Sequence, residues 1–404
     1  MSSQPASKTR AADRRPASRD RRGDVFELFV LAHHPRAESA TLMASFRNAR
    51  VLVAFPRGGG EAGARWQRII RAHERTLAVL EGRGRGRSLL HGRELRDWGR
   101  DLFETLFPGD VRRLYDVARS LQPDGVLDLV FTSMIDWVAD KPWELAWDPS
   151  RRGFIATSDV NFVRNVFTAV PAELRQRRRE RLRILVATAQ PRGTAPVAAR
   201  EEAALVRRGL RPLVEAGLAS VSVLSRATPH GLHRRLSDQV VDVLHYIGHG
   251  SYDEEAGEGC LFLEDGRGRP KPVDAAAFRQ IVGRRGTDLV FLNACESGRG
   301  GRVDFNRGLA PALVAAGMPA VVANQYSVLD VAATTFAREF YAALAHGRAL
   351  GDASREARVA LGHVIGAEAI DWAVPVLFAR EPGATLRAPR AAAPRRVRKA
   401  RARR

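Results

Sequence analysis

Short apolar runs alternate with helical patterns between residues 183 and 380 of the chain. The apolar runs predict β-strands at 183–189, 219–225, 240–250, 287–297, 319–327 and 375–380. Between them, apolar residues recur every three or four positions and predict α-helices at 198–217, 230–237, 274–282, 308–317, 331–345 and 351–362. Strands rich in Val, Leu and Ile that alternate with helices are typical of a mostly parallel sheet with helices on both faces. We therefore predict an α/β protein.

The preceding residues, 24–172, have a less regular pattern, which predicts a smaller N-terminal α/β region. The runs "FELFVLA" and "ARVLVAF" are its strand candidates, and "WGRDLFETLFPGD" predicts a helix that ends in a Pro-Gly turn. The segment "GVLDLVFTSMIDWV" predicts a pair of strands. A charged segment, 173–183, is predicted to link this region to a second domain at 184–381.

The charge of the chain is concentrated at its two ends. The net charge is +20, of which residues 1–23 carry +5 and residues 382–404 carry +9, and neither segment has an apolar period. We predict that both are disordered basic tails, the second rich in Arg. Such tails could bind nucleic acid or an acidic partner. A coding bias is the alternative, because the chain has 61 Arg against four Lys, and it makes specific nucleic-acid binding the less favoured prediction.

The cysteine content and the apolar segments indicate in which cellular compartment the protein is expected. The only cysteines are Cys260 and Cys295, which do not make a disulfide framework, so a reducing, cytoplasmic location is expected. No apolar stretch is long enough to predict a membrane span. The apolar segment "VFELFVLAHH" near the start carries Glu27 and has no small-residue cleavage site, so it predicts a strand rather than an export signal.

Two strand candidates end in residues that could perform nucleophilic chemistry. His249 lies between Gly248 and Gly250 at the end of one strand, and Cys295 lies 46 residues later at the end of another. A thiol becomes a strong nucleophile when a nearby imidazole takes its proton, and this order and spacing are those of caspases. The alternative is that each residue is structural, because a single Cys at a strand end usually packs in a core. The amide N–H groups of Gly250 and Cys295 could stabilise an oxyanion.

Four motifs together resemble one family, the CHAT domain. They are "KPWELAWD", "LHYIGHG", "LVFLNACESG" and the segment that begins "RGLAPALVAAGMPAVVANQYS", and they occur in the family's order within roughly residues 95–380. The CHAT domain is a caspase-like peptidase domain of the clan that contains caspases, separases, gingipains and clostripain. The resemblance implies a caspase-like fold, with His249 as general base, Cys295 as nucleophile, and Gly250 and Cys295 as oxyanion donors.

The resemblance also suggests where substrate binds. The chain has "NQYSV" where the family commonly has Ser-Leu-Trp, which makes Asn324, Gln325 and Tyr326 candidates for the border of the substrate cleft. Asp330 matches an acidic position of the family and could face a basic substrate side chain, but it also stands where a helix N-cap belongs. The "KPWELAWD" motif is expected to be structural, with its two indoles on the core and Glu144 as a cap.

The function that the resemblance implies is that of a cysteine endopeptidase of bacterial signalling, defence or programmed cell death, switched on by a separate sensor protein. No metal or organic cofactor is expected, and the acidic run 253–255 is interpreted as a solvated loop rather than a cation site. Cys260 is expected to be a small buried residue. Two alternatives stay open: a catalytically silent scaffold of the same fold, and an adaptor that binds nucleic acid through its tails.

Overall fold

The structure is a computed structural model of the whole chain. The part of it described below comprises residues 24–32, 40–55, 59–80, 89–122, 125–169, 180–194, 199–253, 258–282, 286–295, 305–325 and 330–387. Within these residues, no helix is both long enough and apolar enough to cross a bilayer. The predicted tail 1–23, most of the linker 173–183, and residues 388–404 lie outside the described residues.

In the described part of the chain, thirteen strands form one mixed sheet and two more form a short hairpin. The large sheet contains β1 (Val25–Ala32), β2 (Ala40–Phe46), β3 (Ala49–Ala54), β4 (Leu127–Ser133), β7 (Val160–Asn165), β8 (Leu182–Thr188), β9 (Ala219–Leu224), β10 (Val243–Asp253), β11 (Glu258–Glu264), β12 (Pro270–Asp274), β13 (Leu289–Cys295), β14 (Ala320–Asn324) and β15 (Pro375–Ala379). The hairpin consists of β5 (Trp147–Asp148) and β6 (Gly153–Phe154).

Helices follow most of the parallel strands. They are α1 (Gly60–Leu80), α2 (Gly92–Leu106), α3 (Gly109–Ser120), α4 (Asp136–Ala139), α5 (Ala199–Glu215), α6 (Pro229–Asp238), α7 (Ala275–Val282), α8 (Phe305–Ala315), α9 (Asp330–Ala345) and α10 (Leu350–Ile365). The predicted helices between residues 198 and 362 are therefore all present.

The order of strands across the large sheet is β9-β8-β10-β13-β14-β15-β7-β4-β1-β2-β3. The pairs from β9 to β14 are parallel, as are β15–β7, β7–β4 and β4–β1, whereas β14–β15 and the edge pairs β1–β2 and β2–β3 are antiparallel. The predicted α/β class with a mostly parallel sheet is confirmed. The N-terminal region and the second region share this one sheet through the contact of β15 with β7, while the predicted domain boundary itself stays a prediction.

The strand β10 changes partners along its length. Its first part pairs in parallel with β8 through Ile247 and with β13 through His249, and its last part pairs with the antiparallel hairpin β11–β12. The parallel sheet therefore ends beside His249, while β10 itself continues. This bifurcation creates an edge at the carboxyl ends of β8, β10 and β13, which is where open α/β sheets bind ligands.

Alternation along the strands gives the sheet two apolar faces. One face packs against α5, α9 and α10 and continues into the N-terminal region, and it includes Val243, Ile247 and Phe291. The other packs against α6, α7 and α8 and includes Leu244, Tyr246 and Leu292. Because both faces of β10 and β13 are buried, these strands read as continuous apolar runs in the sequence.

Two details differ from the sequence-based expectation. The second of the two strands predicted within residues 125–138 is the short helix α4, because Ser133 ends β4 and its hydroxyl bonds the backbone N–H of Ile135 at 3.0 Å. Residues 382–387, which were predicted to belong to the disordered tail, pack on the domain: Leu386 is buried, and the Arg387 guanidinium donates to the backbone carbonyl oxygens of Glu180 and Ala345.

Candidate active site

The two predicted catalytic residues lie side by side in the sheet. His249 and Cys295 are directly paired in the register of the parallel strands β10 and β13. Paired residues of neighbouring strands share a face of the sheet, and their strands lie about 5 Å apart. Cys295 is the last residue of β13, and His249 is the last residue of β10 that pairs with it. The backbone thus brings positions 249 and 295 to the same level at one edge of the sheet.

The backbone at His249 is held by a tyrosine from the opposite face of the strand. The Tyr246 hydroxyl donates to the carbonyl oxygens of His249, at 3.1 Å, and Phe262, at 2.8 Å. Burial raises the pKa of Tyr246 far above its ordinary value, so the hydroxyl keeps its proton and remains a donor. These two hydrogen bonds link the backbone of His249 to that of Phe262, its partner in the β10–β11 ladder.

Gly248 is required beside this tyrosine. A Cβ atom at position 248 would lie 2.4 Å from the Tyr246 hydroxyl oxygen and 2.8 Å from the carbonyl oxygen of Ala189. Both distances are far below van der Waals contact, and one of the atoms is backbone. The glycine before His249 is therefore explained by the close approach of β8 and of the tyrosine ring rather than by a sharp turn.

We expect Gly248→Ala to displace His249 and to destabilise the fold by about 1–3 kcal/mol, the usual range for overpacking a buried site. Chemical denaturation measures the effect. Gly266→Ala is the matched control, because a Cβ at that position meets no atom within 4 Å. Equal stability of the two variants would contradict the proposed steric requirement.

A second histidine on β10 is unsuited to be the base. His245 is buried, stacks on Phe291 with ring centroids 4.6 Å apart, and shares a hydrogen bond of 2.8 Å between its Nδ1 and the Tyr341 hydroxyl. Burial lowers the pKa of His245 to about 3, so it stays neutral at physiological pH. It lies four residues before the end of the parallel pairing and belongs to the core.

Three polar side chains form a buried chain just below the paired residues. Asn324, at the end of β14, donates through Nδ2 to Oδ1 of Asn293 at 2.7 Å, and Asn293 donates through its own Nδ2 to the Glu202 carboxylate. All three are more than nine-tenths buried. Asn293 precedes Cys295 by two residues on β13, so its Cα atom lies roughly 7 Å from that of Cys295 along the strand.

One member of this series of hydrogen-bonded side chains, Glu202, was not predicted from the sequence. Glu202 lies in the first turn of α5, in a run of ordinary helix-surface charges. A weak signal existed, because position 202 shares the apolar face of the helix with Ala199, Ala203 and Val206. The Oδ1 atom of Asn324 is buried and has no hydrogen-bond partner among the residues that the structure describes. The network therefore has an unsatisfied acceptor at one end and a buried carboxylate at the other.

Gln325 makes contacts of a different kind from those predicted. Its side chain donates to the carbonyl oxygen of Asp140 at 2.6 Å and accepts from Arg164 at 3.3 Å. Arg164 also forms a buried ion pair with Glu144. The "KPWELAWD" motif is structural, as expected, but Glu144 serves as the partner of Arg164 rather than as a helix cap. The role of Gln325 toward substrate stays a prediction.

The other predicted site residues are tested less directly. Gly250 is buried in the ladder with β11, paired with Leu261. Asp330 is the first residue of α9, where the sequence places a helix start, and Tyr326 lies outside the described residues, as do Glu254 and Glu255. Cys260 is half-buried in β11, so it is more exposed than expected. Their roles in catalysis and binding stay predictions.

Two solved structures resemble this one at low sequence identity. The structure is similar to the Arg-specific cysteine proteinase gingipain R, at 12% identity over 69% of this chain and 68% of that one, with a TM-score of 0.44. It is also similar to the Saccharomyces cerevisiae separase–securin complex, at 12% identity over 88% of this chain, with a TM-score of 0.45. This chain spans 30% of that separase chain. No curated protein matches the sequence.

A family model assigns the chain to a protein family. The model of the CHAT domain matches residues 96–380, which is more than two thirds of the chain and includes every residue of the site just described. The matched range begins within α2 and ends just after β15, so it takes in both parts of the continuous sheet. The chain belongs to the CHAT domain family, whose fold is caspase-like.

Proposed function

We propose that this protein is a cysteine endopeptidase in which Cys295 and His249 act as a dyad. The observation that carries the proposal is the register that pairs these two residues on neighbouring parallel strands. Membership of the CHAT family supports it, because two of the motifs that carry the family resemblance contain these two residues. The chain retains both side chains that the reaction needs.

The reaction follows from the chemistry of the two groups. His249 takes the proton of the Cys295 thiol, and the thiolate attacks a peptide carbonyl to give a tetrahedral intermediate. The N–H groups of Gly250 and Cys295 are the proposed donors to its oxyanion. The imidazolium then gives its proton to the leaving amine, which breaks the C–N bond and leaves a thioester. Water, deprotonated by His249, hydrolyses the thioester and releases the carboxylic acid and the thiol.

The buried chain below the dyad suggests a substrate preference. Oδ1 of Asn324 has no hydrogen-bond partner among the described residues, and the carboxylate of Glu202, which accepts from Asn293, adds negative charge to the same network of acceptors. A side chain with several N–H donors satisfies such acceptors best, so we infer a preference for Arg or Lys before the scissile bond. Asp330 stays a second candidate for contact with a basic substrate side chain.

Glu202→Gln is expected to lower kcat/KM for substrates with Arg or Lys before the scissile bond by roughly 10- to 100-fold, the effect of losing a hydrogen bond to a charged group. Substrates with neutral residues there should be cleaved nearly as before. Glu201→Gln is the matched control, because that residue lies in the same first turn of α5 and is exposed. A uniform loss for all substrates would assign Glu202 a purely structural role.

A proteome-wide cleavage-site screen tests the activity itself. Extracts are treated with the wild-type chain or with Cys295→Ala, in the presence and absence of candidate activating proteins encoded nearby, and new N-termini are compared. Cleavage sites that require the thiol support the proposal and reveal the substrate. Identical profiles for the two proteins under every condition would instead support the scaffold function. We further propose a role in bacterial signalling, defence or cell death, which the identity of the substrate would test.

A further inference from the structure

A cavity of about 200 Å³ opens beside the candidate active site, at the carboxyl ends of β8 and β9. The first turn of α5 and the turn after β11 complete its wall. Its lining residues are Thr188, Gln190, Arg192, Ala199, Arg200, Ser225, Arg226, Glu264 and Gly268. The cavity is one strand away from His249 and two from Cys295, because β10 separates β8 from β13.

The charges of this cavity are strongly unbalanced. Arg192, Arg200 and Arg226 come from three different segments and line it together with one acid, Glu264. Glu264 is buried and accepts from Nε of Arg226 at 3.1 Å. Within the described residues, neither Arg192 nor Arg200 forms an ion pair. A local excess of two positive charges remains, which is the charge that a phosphate dianion neutralises.

Two of the guanidinium groups converge on one point at Gly268. A Cβ atom on Gly268 would lie 3.1 Å from Nη2 of Arg226, 3.7 Å from Nε of Arg192 and 3.7 Å from Oε2 of Glu264. The two guanidinium nitrogens are therefore within about 7 Å of each other, a separation at which like charges repel. The backbone of Arg226 has a φ of 55°, a conformation that is costly for a residue with a side chain. The Glu264 carboxylate offsets part of the repulsion between the two guanidinium groups, and a bound anion would offset the rest.

Polar hydrogens are available in the same cavity. Thr188 is 5% exposed, and its hydroxyl makes no hydrogen bond within the described part of the chain. The residues Ala199 and Arg200 begin α5, so their backbone N–H groups have no acceptor within that helix. A hydroxyl, helix N–H groups and guanidinium groups are the donors that oxyanion sites use.

We propose that this cavity binds a phosphoryl group, either as free phosphate or as part of a small nucleotide. Guanidinium groups from three segments surround the space with more donors and more charge than one carboxylate requires. Thr188 pairs with Ile247, two residues before His249, so a bound phosphoryl group lies against the strand that carries the proposed base. The inference concerns binding and does not depend on the proposed peptidase activity.

Isothermal titration calorimetry on the full chain tests the proposal, with inorganic phosphate and AMP as separate probes at constant ionic strength. We expect saturable binding of one molecule per chain. Arg192→Gln and Arg200→Gln should each weaken it by about 10-fold or more, the equivalent of one charge-assisted hydrogen bond. Tighter binding of AMP would identify a nucleotide as the ligand, and equal binding would identify free phosphate.

The controls separate a built site from general attraction to a basic protein. Arg93→Gln removes an arginine whose side chain is 89% exposed, and it should leave binding unchanged. Thr188→Val keeps the shape of the side chain and should weaken binding several-fold without loss of charge. Cys295→Ala should bind as the wild type does. An absence of saturable binding, or an equal loss in Arg93→Gln and Arg192→Gln, would overturn the proposal.

Discussion

Cys295→Ala is expected to lower kcat of the peptidase reaction by roughly 10⁴- to 10⁶-fold, the range seen when a catalytic nucleophile is removed. Without the thiol there is no covalent intermediate, and the remaining groups can only orient water. The measurement is the initial rate on a peptide taken from the cleavage-site screen. KM should change little, because the variant keeps the binding surface.

His249→Ala should produce a loss of similar size, and the double variant should be little worse than either single one. The two side chains act as a unit, so the effects of removing them do not add. Additive losses would show that the register of β10 and β13 does not correspond to a functional dyad.

Cys260→Ala is the matched control for the thiol. Cys260 is the other cysteine of the chain and lies on the neighbouring strand β11, paired with Ser251. It is two positions beyond His249 along the β10 ladder, so it tests whether any thiol near this edge supports the reaction. We expect activity within about 2-fold of the wild type, because surface and half-buried substitutions away from special features are mild. A loss as large as that of Cys295→Ala would contradict the assignment of the nucleophile.

The parallel part of the fold was predictable because both faces of its strands are buried. In β8, β13, β14 and the first half of β10 most described positions are apolar, so the sequence shows nearly continuous runs bounded by helical periods. Residues 125–138 behave differently. The apolar residues Ile135 and Val138 continue the run of β4, but Ser133 turns the backbone into a short helix. Local hydrophobicity does not distinguish these two outcomes.

The pairing of His249 with Cys295 was predictable for a related reason, whereas the contacts of the neighbouring side chains were not. His249 and Cys295 stand at the ends of two apolar runs, within Gly-His-Gly and after Ala. Because the two strands are parallel neighbours, their ends meet at one edge of the sheet. Glu202 and Asn324 are linked through Asn293 only because the first turn of α5 reaches the end of β13. Contacts between side chains 31 and 91 residues apart leave no periodic signal. The same applies to Gln325, whose partners lie in the N-terminal region.

Glu144→Gln is expected to lower the free energy of unfolding by about 3–5 kcal/mol, because it leaves a buried cation without its partner. Glu144 is fully buried and binds Arg164, whose guanidinium also donates to the carbonyl oxygens of Ala139 and Lys141. Arg358 is also fully buried nearby, and desolvation lowers its pKa to about 10 even though Glu144 opposes the shift. Without the carboxylate, two buried guanidinium groups would face each other.

Chemical denaturation measures this loss, and two further variants identify its cause. Glu94→Gln breaks an ion pair with Arg75 in which the Glu94 side chain is 53% exposed, and it should cost less than about 1 kcal/mol. The double variant Glu144→Leu with Arg164→Met should be more stable than Glu144→Gln, because it removes one buried cation together with its partner. If the double variant is the less stable one, the ion pair itself stabilises the fold. Because Arg164 also binds Gln325 beside Asn324, Glu144→Gln should loosen the end of β14 and lower peptidase activity along with stability.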